Sequence, residues 1–355
     1  MSDLPSQALS TLASIDPIAA RTLLILAVFF ALAGLGIAVY ERVKRVRDDN
    51  LRVRYYSWFM IAPVVVIPSY FGGLPFALFT LGLALFCLRE FFSVVHVRET
   101  AAFMWVGRVC GTALVACAFL ESTTAASPII HAIRSLDPSL PGAERVLSAP
   151  AGPLSMPSIL HGIHPFYVLP VFIIMLVLII PIFLQRYEGM VKQEAFTILG
   201  ILYFGWFLGH LVLLRNYEHG FGFVILLCMA VVFNDVLAYT VGRLFGKTKL
   251  APAISPKKTV EGALGGLAGS VAAALIFAYA APELSLPLLI AAALLIGVAA
   301  PLGDLIISVI KRDMAVKDSG TLIPGHGGLL DRCDSLIFAT PVFYYFLRLV
   351  LGAHG

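Results

Sequence analysis

The chain has 355 residues and a net charge of +4 at neutral pH, with 59% hydrophobic and 13% charged residues, and its mean hydropathy is +0.92. That balance excludes an ordinary soluble globular domain and gives no reason to expect a nucleic-acid partner. Five cysteines, Cys87, Cys110, Cys117, Cys228 and Cys333, are scattered with no pair at ligand spacing, which argues against a disulfide framework or a zinc site.

In chain order, residues 1–16 are polar and lack a basic leader and cleavage site, so the first apolar run is expected to stay as an anchor. Apolar runs then fall near 20–40, 57–71, 73–95, 101–121, 165–184, 195–214, 221–243, 263–282, 284–300 and 333–351. Runs of this length predict an all-α, polytopic integral membrane helix bundle of about nine to ten transmembrane helices, embedded in the lipid bilayer. The second run is short and interrupted by Pro63 and Pro68, so it is expected to be the doubtful span. Glu41 to Tyr56 carries Arg42, Lys44, Arg45, Arg47, Arg52 and Arg54 against three acids, which places it in the cytoplasm. Alternation then puts 96–100, 185–194, 245–261 and 304–328 on that side, with the cation-poor loop at 122–164 outside. The expected division is residues 1–194 as N-terminal transmembrane helices and 195–355 as a catalytic transmembrane domain.

Three polar segments interrupt this pattern. Asn234, Asp235 and Tyr239 lie inside an apolar helix. Asp235, Tyr239 and Gly242 share one helical face, which should turn toward a polar cavity because an intramembrane carboxylate is costly in lipid. A structural pairing with a neighbouring helix is the competing reading. Next comes a loop holding Arg243, Lys247, Lys249, Ser255, Lys257, Lys258, Thr259 and Glu261. It leads directly into a helix and suits a phosphate cradle, or simply headgroup contact. Gly262, Gly265, Gly266 and Gly269 follow at small-xxx-small spacing, consistent with helix packing or with a subunit contact and hence a homodimer.

The third segment, Gly303 to Asp334, packs five carboxylates, four fixed cations and one histidine into a short stretch. Asp304, Ser308, Lys311 and Arg312 fit one side of a helix leaving the membrane. Beyond them stand Lys317, Asp318, His326, Gly327 and Gly328, and then Asp331, Arg332 and Asp334. Carboxylate ligands without a Cys or His cluster suit magnesium.

The run Ser308, Lys311, Arg312, Lys317, Asp318, Gly320, Pro324, His326, Gly327, Gly328, Asp331, Arg332 and Asp334 resembles the signature of phosphatidate cytidylyltransferases, also called CDP-diacylglycerol synthases. Cys333 departs from the aliphatic residue or threonine usual there. Asn234-Asp235 and Ser255 to Thr259 resemble preceding motifs of that family, and the resemblance covers roughly 195–350. It implies CTP and phosphatidic acid as substrates, CDP-diacylglycerol and pyrophosphate as products, Mg2+ as cofactor with Asp304, Asp331 and Asp235 as its ligands, and a bacterial inner-membrane site facing the cytoplasm. Asp235, Lys257, Lys258, Asp304, Ser308, Lys311, Arg312, Asp331 and Arg332 would act in catalysis. Asn234, Tyr239, Ser255, Thr259, Glu261, Lys317, Asp318, His326, Gly327, Gly328 and Asp334 would bind substrate. Alternatives are a CTP-dependent enzyme on another lipid phosphate or a polyprenol, such as a CDP-archaeol-type synthase or lipid kinase, and a membrane transporter. Against the transporter, the first two hundred residues hold no counterpart of the Asn234-Asp235 helix.

Overall fold

A computed structural model describes residues 16–44, 49–97, 101–125, 164–316, 319–320 and 328–352. Most of the 122–164 loop, part of 96–100, and Lys317, Asp318, His326 and Gly327 lie outside the described residues. The helices are α1 Pro17–Lys44, α2 Asp49–Phe71, α3 Gly73–Val94, α4 Ala101–Ala125 and α5 Pro165–Leu184. They continue as α6 Met190–Arg215, α7 Gly220–Phe245, α8 Val260–Ile276, α9 Leu286–Asp313 and α10 Leu330–Leu351. Among the described residues, eight helices are long and apolar enough to cross a membrane, and Ile61–Phe71 and Val260–Ile276 are shorter apolar helices. The expected all-α membrane bundle is therefore present, with one correction of local structure. The segment read as a loop before α8 holds an antiparallel hairpin, β1 Lys249–Ala251 paired with β2 Ser255–Thr259. The second expected span is also one continuous helix through Pro63 and Pro68, begun well before its apolar half.

Two compact units arise. One joins Met1–Gly72 to Glu218–Gly355, and the other is Gly73–Tyr217. In the latter, α3 to α6 bury Phe76, Phe91, Phe92, Phe103, Phe166 and Phe204. Glycines admit these rings: a Cβ on Gly107 would come within 2.5 Å of Phe92, and one on Gly209 within 2.6 Å of Phe166. A π-helical turn at Ile201–Trp206 interrupts α6. His164 and Glu121 pair at 2.8 Å, joining the start of α5 to the C-terminal part of α4.

The first unit is built around α7 and α8. A Cβ on Gly265 would stand 2.6 Å from Val241, one on Gly266 2.9 Å from Asn234 and one on Gly269 2.5 Å from the Phe233 carbonyl. Small residues thus let two backbones meet without lipid between them. The glycine stripe is used within the chain, so it gives no separate support to a homodimer.

A second tie follows from proline chemistry. Pro301, inside α9, has no N–H, so the carbonyl of Gly297 one turn earlier loses its helical donor. Asn234 of α7 supplies one, its Nδ2 donating to Gly297 O at 3.0 Å and to Ser270 Oγ of α8 at 3.1 Å. Asn234 is 2% exposed, and its amide joins three helices.

Candidate active site

The ends of α7, α9 and α10 and the β-hairpin bring the polar segments together within the first unit. Thr259 ends β2 and caps α8, its Oγ1 accepting from Gly262 N at 3.1 Å, as a helix N-cap should. Glu261, in the first turn, turns back to the hairpin and accepts from the backbone amides of Lys247 and Thr248 at 3.1 Å. On the other side, Arg312 Nε donates to Ile254 O at 3.2 Å, joining the hairpin tip to the end of α9. These bonds fix β2, from which Lys258 reaches α9. Its Nζ lies 2.8 Å from Asp304 Oδ2 and donates to Pro301 O at 3.3 Å.

Helical spacing then organises α9. Ser308, one turn beyond Asp304, donates from Oγ to Asp304 Oδ1 at 3.1 Å. The carboxylate thus faces an ammonium on one oxygen and a hydroxyl on the other. Gly303 sits against the backbone of Asp334, placing the crossing of α9 and α10 beside Asp304. Asp235 lies within electrostatic reach of Asp304, Lys258 and Arg332, and Asp334 within reach of Asp304 and Asp235. Asp334 is 6% exposed and accepts from Ser335 N at 2.7 Å.

A second ion pair stands on the same two helices. Lys311 Nζ is 2.6 Å from Asp331 Oδ1, and Asp331 Oδ2 accepts from Ser319 N at 2.9 Å and Ser319 Oγ at 3.0 Å. Tyr239 and Arg243 lie on the exposed face of α7 and are joined by a 3.1 Å bond from Arg243 Nη1 to the phenol oxygen.

The structure therefore gathers Asp235, Lys258, Asp304, Ser308, Lys311, Asp331, Arg332 and Asp334 at neighbouring helix ends. Lys257 is exposed on β2, Ser255 opens that strand, and Gly328 is buried just before α10. Asn234, Thr259 and Glu261 are engaged by the scaffold rather than held open, and Arg312 is anchored through its Nε. Sequence reasoning did not single out Pro301 or Ser319 as site residues. The signal for Pro301 was a proline in a helical run only three residues before the key aspartate. For Ser319 there was a hydroxyl within the charged stretch, but no periodicity could pair it with Asp331.

No group of three or more His, Cys, Asp or Glu side chains that could hold a metal occurs among the described residues. The donor set nevertheless fits magnesium in its usual manner, which is one or two protein carboxylates completed by water and substrate phosphates. Asp235, Asp304 and Asp331 are of that kind, but both oxygens of Asp304 are engaged by Lys258 and Ser308 and both of Asp331 by Lys311 and Ser319, so either would exchange a present partner for the ion.

Residues 146–350 match the model of the cytidylyltransferase family. A phosphatidate cytidylyltransferase of Bacillus subtilis is 40% identical over 44% of this chain and 59% of its own length. One from Synechocystis is 46% identical over 39% of this chain and 47% of its own length. The uncharacterized protein YnbB of Escherichia coli is 42% identical over 47% of this chain and 55% of its own. The chain thus spans about half the length of the curated relatives it matches. With a family match covering more than half of its residues, the chain belongs to the cytidylyltransferase family.

Proposed function

We propose that the protein is a phosphatidate cytidylyltransferase that converts CTP and phosphatidic acid to CDP-diacylglycerol and pyrophosphate for phospholipid synthesis. Support comes from the family match, from the names of its relatives, and above all from one arrangement: two lysine–aspartate pairs at adjoining helix ends.

The lipid phosphomonoester is close to dianionic at neutral pH, since its second ionisation lies near 6. Its oxygen can attack the α-phosphorus of CTP without a general base, and the bond from that phosphorus to the bridging oxygen breaks as pyrophosphate leaves. The obstacle is repulsion between anions, which a low-dielectric site magnifies. Lys258, Lys311, Arg332, Lys257 and Arg312 supply the opposing charge, and the hairpin fixes Lys258 in position. Asp235, with Asp304 and Asp331 once each releases a present partner, would hold Mg2+. When bound, the ion would neutralise the CTP phosphates and the departing pyrophosphate. Ser308 orients Asp304. Ser255, Tyr239, Gly328 and Asp334 are assigned to the walls of the substrate site, as are Lys317, Asp318, His326 and Gly327 of the signature. The catalytic portion is assigned to 195–355, at the cytoplasmic face of a bacterial inner membrane.

The test uses purified full-length protein in detergent with CTP, magnesium and phosphatidic acid, following pyrophosphate release and a CDP-lipid. Stoichiometric release of both is expected. Absence of product from phosphatidic acid alone, with turnover of an ether-linked or polyprenyl phosphate, would move the substrate. No product from any lipid phosphate would sink the enzyme reading.

A further inference from the structure

We infer that α3 and α4 form a binding site for an anionic glycerophospholipid, with Arg89 and Arg108 holding its phosphate. The site is a cavity of about 280 Å³ lined by Gly82, Leu85, Phe86, Arg89 and Arg108. None of these residues belongs to the catalytic set, and the inference stands independently of the reaction proposed above.

The first argument is charge. Two guanidinium groups converge from neighbouring helices on one opening, Arg89 exposed and Arg108 partly buried. Guanidinium is the side chain best matched to bidentate phosphate contact. Both arginines stand inside apolar helices rather than on the connection between them: Arg89 precedes the end of α3 at Val94, and Arg108 follows the start of α4 at Ala101. At 1.5 Å per residue they lie about 8–10 Å in from those ends, a depth suited to headgroup phosphate and glycerol. A fixed cation facing hydrocarbon is costly, and a phosphate at this depth relieves that cost.

The second argument is shape. Gly82 lies about 10 Å along α3 from Arg89, toward the middle of the helix, and a Cβ built on it would meet nothing within 4 Å. Unlike Gly107 and Gly209, it is not needed for helix approach. It leaves an open notch below the arginines, walled by Leu85 and Phe86. Around it Phe86 is 45%, Trp105 60% and Val109 63% exposed, an apolar surround suited to acyl chain. Trp105 also carries the Arg108 guanidinium 5.4 Å from its ring centroid, which steadies that cation at the rim. A cationic head over an apolar slot matches an anionic lipid better than either a free phosphate or a protein partner.

Native mass spectrometry of the full chain released from detergent tests this, with phosphatidylglycerol and phosphatidylcholine titrated separately. Wild-type protein should bind phosphatidylglycerol at least about tenfold more tightly than phosphatidylcholine, a difference of roughly 1.4 kcal/mol. R89Q/R108Q should abolish that preference. G82L, which fills the notch and keeps both arginines, should lower occupancy by a similar factor, while K258Q should leave it unchanged. G82L also covers the case in which the double variant fails to fold. Equal binding of the two lipids by wild-type protein, or wild-type preference retained in R89Q/R108Q, would overturn the charge-based site. Undiminished occupancy in G82L would remove the groove as the seat, and loss in K258Q would place the lipid at the catalytic centre instead.

Discussion

Lys258 illustrates how much of this site depends on single atoms. Its ammonium faces Asp304 at 2.8 Å and the Pro301 carbonyl at 3.3 Å, so it is positioned before any phosphate arrives. Replacing it with glutamine keeps the length and hydrogen-bonding capacity but removes the charge. Lys258→Gln should lower kcat by about 10²-fold or more, with melting temperature changed little, and steady-state kinetics beside a thermal melt would check both. Near-normal turnover would take Lys258 out of the phosphate site. Asn234 makes a different claim, since its amide supplies the donor that Pro301 cannot give to Gly297. Asn234→Ala should destabilise the protein by about 1–2 kcal/mol. Pro301→Ala, by restoring a backbone N–H, should make that loss smaller in the double variant than in Asn234→Ala alone. Strict additivity in this mutant cycle would refute the compensation.

At the scale of elements, the hairpin and α8 act as one piece. Hydrogen bonds from its own backbone amide and from those of Lys247 and Thr248 hold the Glu261 carboxyl down at about 2. A carboxyl depressed in the folded state stabilises that state fully above its unfolded value, about 4.3. The contribution is lost as pH falls from there through about 2. Amide exchange at Lys247 and Thr248 should therefore be slow and unaffected by Glu261 titration across pH 5–8. In Glu261→Ala the same amides should exchange faster at every pH, together with reduced activity as the hairpin loosens. Matching exchange in variant and parent would dismiss the anchor. The eight helices long enough to cross a membrane among the described residues, and the two shorter apolar ones, were legible as apolar runs, because a span of hydrocarbon requires a length that composition cannot hide. The hairpin was not, since strands of three and five residues around Pro252 and Pro256 are too short to display alternation. The charged face of α9 was legible from helical spacing alone. Its partners were not, because the pairing of Lys311 with Asp331, or Arg312 with Ile254, depends on how separate elements meet.

Over the whole molecule, the contacts at helix ends agree with the alternation read from charge. Within the first unit, Arg52 and Glu41 pair at 2.5 Å where α1 passes to α2, the end assigned to the cytoplasm. At the opposite end Thr22 of α1 bonds Tyr279 at 3.0 Å, and His219 before α7 bonds Glu283 before α9. Each contact joins residues that alternate crossing places on the same side, with α8 counted as a span despite its 17 residues. Eight crossings, α1 through α8, separate Thr22 from Tyr279, and an odd number would have put them on opposite faces. The hairpin, and with it Lys258 and the proposed catalytic residues, then lies on the side of the Arg52–Glu41 pair. Cysteines introduced at exposed positions on the two sides test this, on a background lacking the five native ones. A membrane-impermeant maleimide should label Glu218→Cys in intact cells with a permeabilised outer envelope. Lys249→Cys should react only after the inner membrane is broken. The reverse pattern would invert the orientation and separate the site from cytoplasmic CTP, while labelling of both in intact cells would mean that α7, which alone separates the two positions, does not cross the membrane.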